Sequence, residues 1–186
     1  YLRGGLVWEP VEMHWLRRFL RALRSNRLAP LQTVDLPLGS LYGSHWSLTA
    51  RGVPAAGSSD AAVYLPGRNI LLIGGAAIRC AHERISTIAL GLLKGNPFGD
   101  ASARCLTQLA SSLTQALGHP IRVLTPLKRL DKAQVIRSAS HLPFELTFSC
   151  LNPRNRRHCG RCNKCAERQL AFRASGVPDP TEYVQR

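Results

Sequence analysis

Four of the six cysteines lie within the sixteen residues from Cys150 to Cys165. Eight, two and two residues separate Cys150, Cys159, Cys162 and Cys165. Thiolates are the ligands that zinc prefers, and a two-residue gap lets one backbone turn present two sulfurs to the same ion. Because four sulfurs complete a tetrahedral site and leave no position for water or substrate, the spacing predicts a structural zinc ion.

Other uses of these cysteines stay open on the sequence. A Cys-x2-Cys-x2-Cys run also occurs in iron–sulfur proteins, and paired cysteines can form disulfides. His158 could replace one thiolate; otherwise we expect it beside the site or at the surface. Gly160 allows a tight turn in the first short gap. Cations around the ligands would balance the charge of the thiolates; they are Arg154, Arg156, Arg157, Arg161, Lys164 and Arg168.

The composition fits one globular domain. The chain has 186 residues, of which 45% are hydrophobic and 19% charged, and no apolar run is long enough to cross a membrane. No basic leader with an apolar stretch opens the sequence, so the free thiols predict a reducing, cytoplasmic setting. The formal net charge of +14 indicates affinity for phosphate and leaves nucleic acid open as a partner.

The N-terminus reads like the middle of a fold. The chain opens on Tyr1 without a methionine, and residues 1–7 have the pattern of a buried strand that runs into a loop. We therefore expect that further residues precede Tyr1 in the native protein.

Strand and helix patterns alternate along the chain and predict a parallel sheet with helices on both faces. The predicted helices are 9–24, 100–117, 131–139 and a short one at 166–174. The predicted strands are 31–36, 85–91 and 121–124. Residues 37–67 carry the glycines and prolines of a long loop. The run 70–81 is apolar except for Arg79, and its periodicity leaves open either a buried strand that ends at Gly74-Gly75 or a helix that tolerates both glycines.

Ligands of such sheets bind beside the carboxyl ends of the strands. The loops at 37–69, 91–100 and 125–132 are therefore the candidate site. We divide the chain into an α/β nucleotide-binding-type domain at 1–145 and a metal-binding module at 146–186, which the ion tethers to the sheet.

Motifs toward the C-terminus carry a family resemblance. The segments Leu146–Cys150, Cys159–Arg168 and Gly176–Tyr183 strongly resemble the carboxyl end of 7-cyano-7-deazaguanine synthases. Pro66-Gly67-Arg68-Asn69 resembles the Pro-Gly-Arg-Asn element of the same family, and Pro126–Lys132 resembles its Pro-Leu…Lys segment. The resemblance covers residues 64–183.

This resemblance implies the α/β fold of the PP-loop ATP pyrophosphatases, with a structural zinc ion. The implied reaction uses ATP with Mg²⁺ to adenylate 7-carboxy-7-deazaguanine, and ammonia then displaces AMP to give an amide. A second activation converts the amide into the nitrile, a precursor of queuosine. Cations and backbone N–H groups at strand ends suit this chemistry, because they neutralise the departing pyrophosphate.

The strand ends and the resemblance together indicate five residues that bind nucleotide and substrate: Arg68, Asn69, Gly91, Asp100 and Lys132. By analogy, the element at 66–69 begins a helix at the site, which favours a helix for residues 70–83. Arg68 would face phosphate or carboxylate, and Asn69 would cap the helix or contact substrate. Stabilising a turn is the alternative role of both.

Two parts of the family pattern differ here. The Ser-Gly-Gly-x-Asp-Ser loop that holds the ATP phosphates in the family does not occur in this sequence, and we expect it upstream of Tyr1. In residues 95–104 only Asp100 corresponds to the family's substrate segment. A divergent paralogue that acts on another carboxylate or amide, an inactive scaffold and a zinc-ribbon nucleic-acid binder therefore stay open beside the synthase. A homodimer is also open, and no membrane partner is expected.

Overall fold

The structure is a computed structural model that describes residues 1–184. The chain forms two compact units, one made of residues 64–132 and the other of residues 3–63 together with residues 133 onwards. Among the described residues, no helix is both long and apolar enough to cross a membrane. The predicted boundary after residue 145 stays a prediction, and the last two residues of the predicted module lie outside the described residues.

The first part of the chain contains one long helix and a two-stranded sheet. Strand β1 (Leu2–Arg3) pairs with strand β2 (Val34–Asp35), and helix α1 (Glu9–Leu23) lies between them in the sequence. Pro10 occupies the first turn of α1, where its missing N–H leaves no hydrogen bond unmade. The predicted helix 9–24 is confirmed, whereas only Val34–Asp35 of the predicted strand 31–36 forms a strand, which pairs with β1.

The stretch 37–67 is more regular than a loop. It contains helices α2 (Gly39–Tyr42) and α3 (Trp46–Thr49) and a 3-10 turn at Asp60–Val63. His45 caps α3, since its Nδ1 accepts a hydrogen bond from the Ser47 amide at 3.3 Å. The ring of Trp46 stacks on that of Trp8, with 5.7 Å between the centroids. The prediction of an irregular loop is wrong here, because capping and aromatic packing outweigh the turn-forming composition.

Residues 64–132 fold around a parallel pair of strands. The elements are helix α4 (Arg68–His82), strand β3 (Thr87–Ala89), helix α5 (Ala103–Leu117) and strand β4 (Arg122–Leu124). Ile73 and Ala77 of α4 pack with Ile88 of β3, Leu106 of α5 and Ile121 in the core. The ambiguous apolar run is therefore helical. Ile73 and Ala77 are four residues apart, which places both on the same inward face.

Helices cover one face of the β3–β4 pair. Ile88 lies opposite Val123 in the parallel register, and both pack toward α4 and α5. Ala89 and Leu124 point to the other face, where 52% of the Leu124 surface is exposed. The predicted parallel pairing is confirmed, and helices on both faces stay a prediction.

The last part of the chain contributes helices α6 (Lys132–Ser138) and α7 (Asn163–Ser175), with a 3-10 turn at Phe144–Leu146 between them. Ile136 of α6 packs with Ala171 and Phe172 of α7. The Phe144 ring meets the Phe172 ring edge-on, with 5.4 Å between the centroids. Gly176 ends α7 with a φ of 72°, a left-handed conformation that glycine adopts without strain.

Candidate functional sites

The four cysteine side chains of the C-terminal motif meet at one buried point. Their sulfur atoms all lie within 4.8 Å of one another. The Sγ atoms of Cys150 and Cys162 are 3.9 Å apart, and so are those of Cys159 and Cys165. Four sulfurs bonded at about 2.3 Å to one tetrahedral ion would lie about 3.8 Å apart. The group therefore has the dimensions of a site for a single metal ion.

The same distances bear on the other uses of these cysteines. A disulfide places its sulfurs about 2.05 Å apart, whereas all four cysteines are free. An iron–sulfur cluster places several iron atoms and sulfides between its thiolates, and sulfurs within 4.8 Å of one another leave too little room for that core. The geometry favours one ion over a disulfide or a cluster.

Backbone amides donate hydrogen bonds to the sulfur atoms. The Sγ of Cys150 accepts one from the Cys159 amide at 3.3 Å, and the Sγ of Cys162 accepts one from the Leu151 amide at 3.4 Å. Such donors favour the deprotonated form of a thiol. Gly160 has a φ of 86°, so the predicted tight turn in the first short gap is confirmed.

Hydrogen bonds among the cysteine side chains shift the pKa values of the thiols in opposite directions. Hydrogen bonds from Cys150 and then Cys165 lower the pKa of Cys162. The hydrogen bond to Cys162, followed by that to Cys165 and by burial, raises the pKa of Cys150. One thiolate is thus stabilised by protonated neighbours. Four thiolates in the same buried volume require a cation in place of the protons.

His158 is buried beside the cysteine group and is not one of the grouped ligands. Its Nε2 accepts a hydrogen bond from the Ser149 amide at 3.2 Å, and its ring contacts the rings of Phe148 and Tyr183. Burial, followed by the charge of Arg168, lowers the pKa of His158 to about 4. The sequence predicted that His158, if it bound no metal, would lie either beside the site or at the surface. In the structure it lies beside the site.

Arg168 is a buried cation that ties helix α7 to two other segments. Its Nε donates to Oγ1 of Thr181 at 2.6 Å. Its Nη2 donates to the Phe144 carbonyl at 3.0 Å and to Oγ1 of Thr147 at 2.9 Å. The other five cations expected around the ligands are exposed or half-buried. Arg168 therefore has a structural role that the sequence did not distinguish from charge balance.

Part of the predicted loop 37–67 is hydrogen-bonded to the residues on either side of Cys162. The Asn163 amide donates to the Pro54 carbonyl at 2.9 Å, and the Ala56 amide donates to the Arg161 carbonyl at 3.0 Å. The Asn163 side chain donates to the Ser58 carbonyl at 2.8 Å. The sequence carries no sign of this support, because it joins residues more than a hundred positions apart.

The second candidate site lies at the start of α4. The carboxylate of Asp100 accepts a hydrogen bond from the backbone amide of Asn69 at 3.0 Å and another from its side chain at 3.1 Å. Asp100 is buried, with 8% of its surface exposed. Two of the five predicted site residues are thus brought together. Asp100 supplies the carboxylate that satisfies a helix-start amide, a role that an N-cap side chain usually fills.

The loops that follow β3 and β4 meet at one edge of the strand pair. The Lys94 amide donates a hydrogen bond to the Leu130 carbonyl at 2.9 Å, which joins the predicted loops 91–100 and 125–132. Because the two strands are parallel, both loops leave from carboxyl ends. Two of the three loops predicted to form the site therefore lie together.

The other three predicted site residues lie at element ends. Arg68 is exposed at the first residue of α4, and Gly91 is exposed just after β3. Lys132 is half-buried at the first residue of α6. Their positions suit a site at strand and helix ends, and their roles in binding stay predictions.

An aromatic pair in this unit was missed by the sequence analysis. The rings of Tyr64 and Phe98 stack with 4.6 Å between the centroids and 10° between the planes. The Phe98 amide donates to Oδ1 of Asn96 at 3.0 Å. The available signal was that Tyr64 lies close to Arg68 in the sequence and Phe98 close to Asp100, which did not reveal that the two rings would meet.

A parallel strand–helix–strand unit and a buried group of four cysteines define the class, a mixed α/β protein with a C-terminal motif that could hold a metal ion. The family model described as "Queuosine biosynthesis protein QueC" matches residues 12–176. The chain belongs to this family, as its motifs predicted.

Several relatives are named "7-cyano-7-deazaguanine synthase". The protein of Anaeromyxobacter dehalogenans is 32% identical, over 94% of this chain and 80% of its own length. That of Anaeromyxobacter sp. Fw109-5 is 33% identical with the same coverage. That of Methanopyrus kandleri is 33% identical over 70% of this chain and 63% of its own.

Proposed function

We propose that this protein makes 7-cyano-7-deazaguanine, a precursor of queuosine, from 7-carboxy-7-deazaguanine, ammonia and ATP. The observation that carries the proposal is the similarity to named synthases over 94% of the chain. ATP would adenylate the carboxylate with release of pyrophosphate, and ammonia would displace AMP to give the amide. A second ATP would activate the amide oxygen, and loss of AMP and a proton would leave the nitrile.

The proposed binding place is the edge formed by the start of α4 and the loops 91–100 and 125–132. Arg68 would bind a phosphate or the substrate carboxylate through its guanidinium. Gly91 would let a nucleotide approach the backbone, and Lys132 would add positive charge. Asp100 would hold the start of α4 through Asn69. ATP would bind together with Mg²⁺, which offsets phosphate charge.

We also propose that Cys150, Cys159, Cys162 and Cys165 bind one structural Zn²⁺ ion. The sulfur separations fit a single tetrahedral ion, and the amide donors suit thiolates. Bound zinc would contribute folding energy to the C-terminal part of the chain. A cytoplasmic setting, in which thiols stay reduced, suits four free cysteines.

The complete sheet and the division into a domain and a module are part of the same proposal. The parallel β3–β4 pair would be part of a PP-loop ATP pyrophosphatase sheet with helices on both faces, and residues 146–186 would form a metal-binding module. A homodimer stays a prediction that the molecular mass in solution would test.

The test is an assay of the protein made from its complete reading frame, with ATP, Mg²⁺, 7-carboxy-7-deazaguanine and ammonium. We expect the nitrile by mass spectrometry and two AMP for each nitrile; starting from the amide, we expect one AMP. An Arg68→Gln variant should lower kcat/KM, whereas Arg79→Gln, at an exposed arginine of the same helix that pairs with Glu83, should not.

Two results would decide against the proposal. If neither the acid nor the amide gives AMP, the protein does not catalyse this reaction. If AMP forms with a different carboxylate alone, the protein is a divergent paralogue, as the altered segment 95–104 allows.

A further inference from the structure

A basic surface runs along helix α1 and the turn at residues 154–157. All of its arginines are exposed, and none takes part in the ion pairs found among the described residues. We call this set the arginine surface; it consists of Arg17, Arg18, Arg21, Arg24, Arg154, Arg156 and Arg157. A surface of one sign that the protein's own carboxylates leave uncompensated attracts anions with many charges.

Trp15 joins the helix to the turn. Its indole Nε1 donates a hydrogen bond to the Arg156 carbonyl at 2.8 Å, and the Arg18 guanidinium lies 4.7 Å from the centre of its ring. Two backbone hydrogen bonds between Arg154 and Arg157, at 2.9 and 3.1 Å, close the turn. Arg156 has a φ of 63°, which is uncommon for a residue with a side chain. The two groups of arginines are therefore held together by specific contacts.

Charges from both groups of arginines act on His14 of helix α1. Burial, then the charges of Arg156, Arg18 and Arg21, lower the pKa of His14. The arginines of the helix and of the turn thus act on one point, as a single positive region would.

A groove lies beside this surface, between α1 and the chain that follows it. Its volume is about 600 Å³, and Arg17, Arg21 and Arg24 line it together with Leu20 and Leu28. The three arginines are spaced by four and three residues, or about 6 and 4.5 Å along the helix. The groove therefore offers a row of guanidinium groups beside an apolar wall.

We propose that the groove and the arginine surface bind the phosphodiester backbone of a single-stranded polynucleotide. Arginine makes two-point contacts with phosphate, and 21 of the 25 cationic residues of this chain are arginine. Leu20 and Leu28 can make van der Waals contact with the faces of unpaired bases, which in a duplex are stacked on one another. This inference does not depend on the ATP-dependent reaction proposed above.

Other polyanions fit this surface less well. A helix that lies on a membrane buries its apolar face in lipid. The apolar face of α1 is half-buried within the protein instead; it consists of Trp15, Leu16, Phe19, Leu20 and Leu23. An acidic protein segment would pair with the arginines through carboxylates, and the competition by polyglutamate described below distinguishes it from a polynucleotide.

The test measures binding of fluorescent oligouridylate and oligodeoxyuridylate of equal length, which differ only in the 2′-hydroxyl, to the full protein at several salt concentrations. Replacing Arg17, Arg21 and Arg24 together by Gln should lower the slope of log affinity against log salt by about 2, because each lost phosphate contact removes about 0.7. At 0.1 M salt this corresponds to about a 100-fold loss of affinity. A variant with Lys at the three positions should keep the slope.

A matched control removes the same charge elsewhere. Replacing Arg79, Arg84 and Arg122, which are exposed residues of the unit 64–132, by Gln should leave both slope and affinity near those of the wild type. All variants change exposed side chains, and circular dichroism checks that each is folded. Equal affinity for the two oligonucleotides supports readout of the backbone, and preference for RNA supports an added contact to the 2′-hydroxyl.

Three outcomes would overturn the proposal. The first is equal loss of affinity in both triple variants, since net charge alone would then explain binding. The second is competition by polyglutamate as strong as that by an oligonucleotide of equal charge, which would indicate an acidic protein partner. The third is binding to vesicles of anionic lipid that needs the same three arginines while oligonucleotide binding does not.

Discussion

Asp100 accepts both of its described hydrogen bonds from one residue, Asn69, through the backbone amide and the side-chain amide. The pair fixes the 3-10 turn at Gly99–Ala101 against the first turn of α4. A buried carboxylate at this end of a helix also faces the positive end of the helix dipole. Asp100, the one residue of the segment 95–104 that corresponds to the family's substrate segment, thus positions the start of α4.

Asp100→Asn should weaken the fold, because it removes the charge at the start of α4 and one good acceptor. We expect the free energy of unfolding in urea to fall by about 1–2 kcal/mol. Asp60→Asn, at an exposed acid that begins a 3-10 turn, should change it by less than about 0.5 kcal/mol. Full stability of Asp100→Asn with complete loss of turnover would instead place Asp100 in contact with substrate.

Cys162→Ser should remove bound zinc, because three thiolates and a hydroxyl hold the ion far more weakly than four thiolates. Metal analysis of the purified protein should fall from one zinc per chain toward none, and the thermal unfolding temperature should fall with it. Cys105→Ser, outside the cysteine group, should keep both values. A wild-type protein that contains no zinc when purified without chelators would contradict the proposed metal site.

Arg168→Leu should be strongly destabilising. It deprives Thr181, Thr147 and the Phe144 carbonyl of a charged hydrogen-bond donor in a buried place, at a cost of about 3 kcal/mol or more. Arg173→Leu, at an exposed position of the same helix, should have little effect. The measurement is urea unfolding of both variants with zinc present, and equal midpoints would show that the buried hydrogen bonds contribute nothing.

Trp15→Phe keeps an aromatic ring and removes the indole N–H that donates to the Arg156 carbonyl. We expect a loss of about 1 kcal/mol in unfolding free energy. Hydrogen exchange should become faster at the Arg154 and Arg157 amides, which close the turn. Unchanged exchange at these amides would mean that the turn holds its conformation without helix α1.

Helices whose ends are set by residues close by in the sequence could be predicted from the sequence. Helix α1 has proline in its first turn, α5 ends at Gly118, and α7 ends at Gly176. The helices α2 and α3 were missed because they are only four residues long and depend on packing such as the stacking of Trp46 on Trp8. The helix at 68–82 needed the family resemblance, since an apolar run has no period that distinguishes helix from strand.

The sequence by itself indicated which four cysteines could hold a metal ion, because cysteines two residues apart can present their sulfurs to one ion from a single backbone turn. Only the tertiary structure decided that Asp100 holds Asn69, 31 residues away, and that Trp15 meets Arg156 across 141 residues. Side-chain contacts between distant parts of the chain depend on how whole elements pack, and no local spacing or period records that packing.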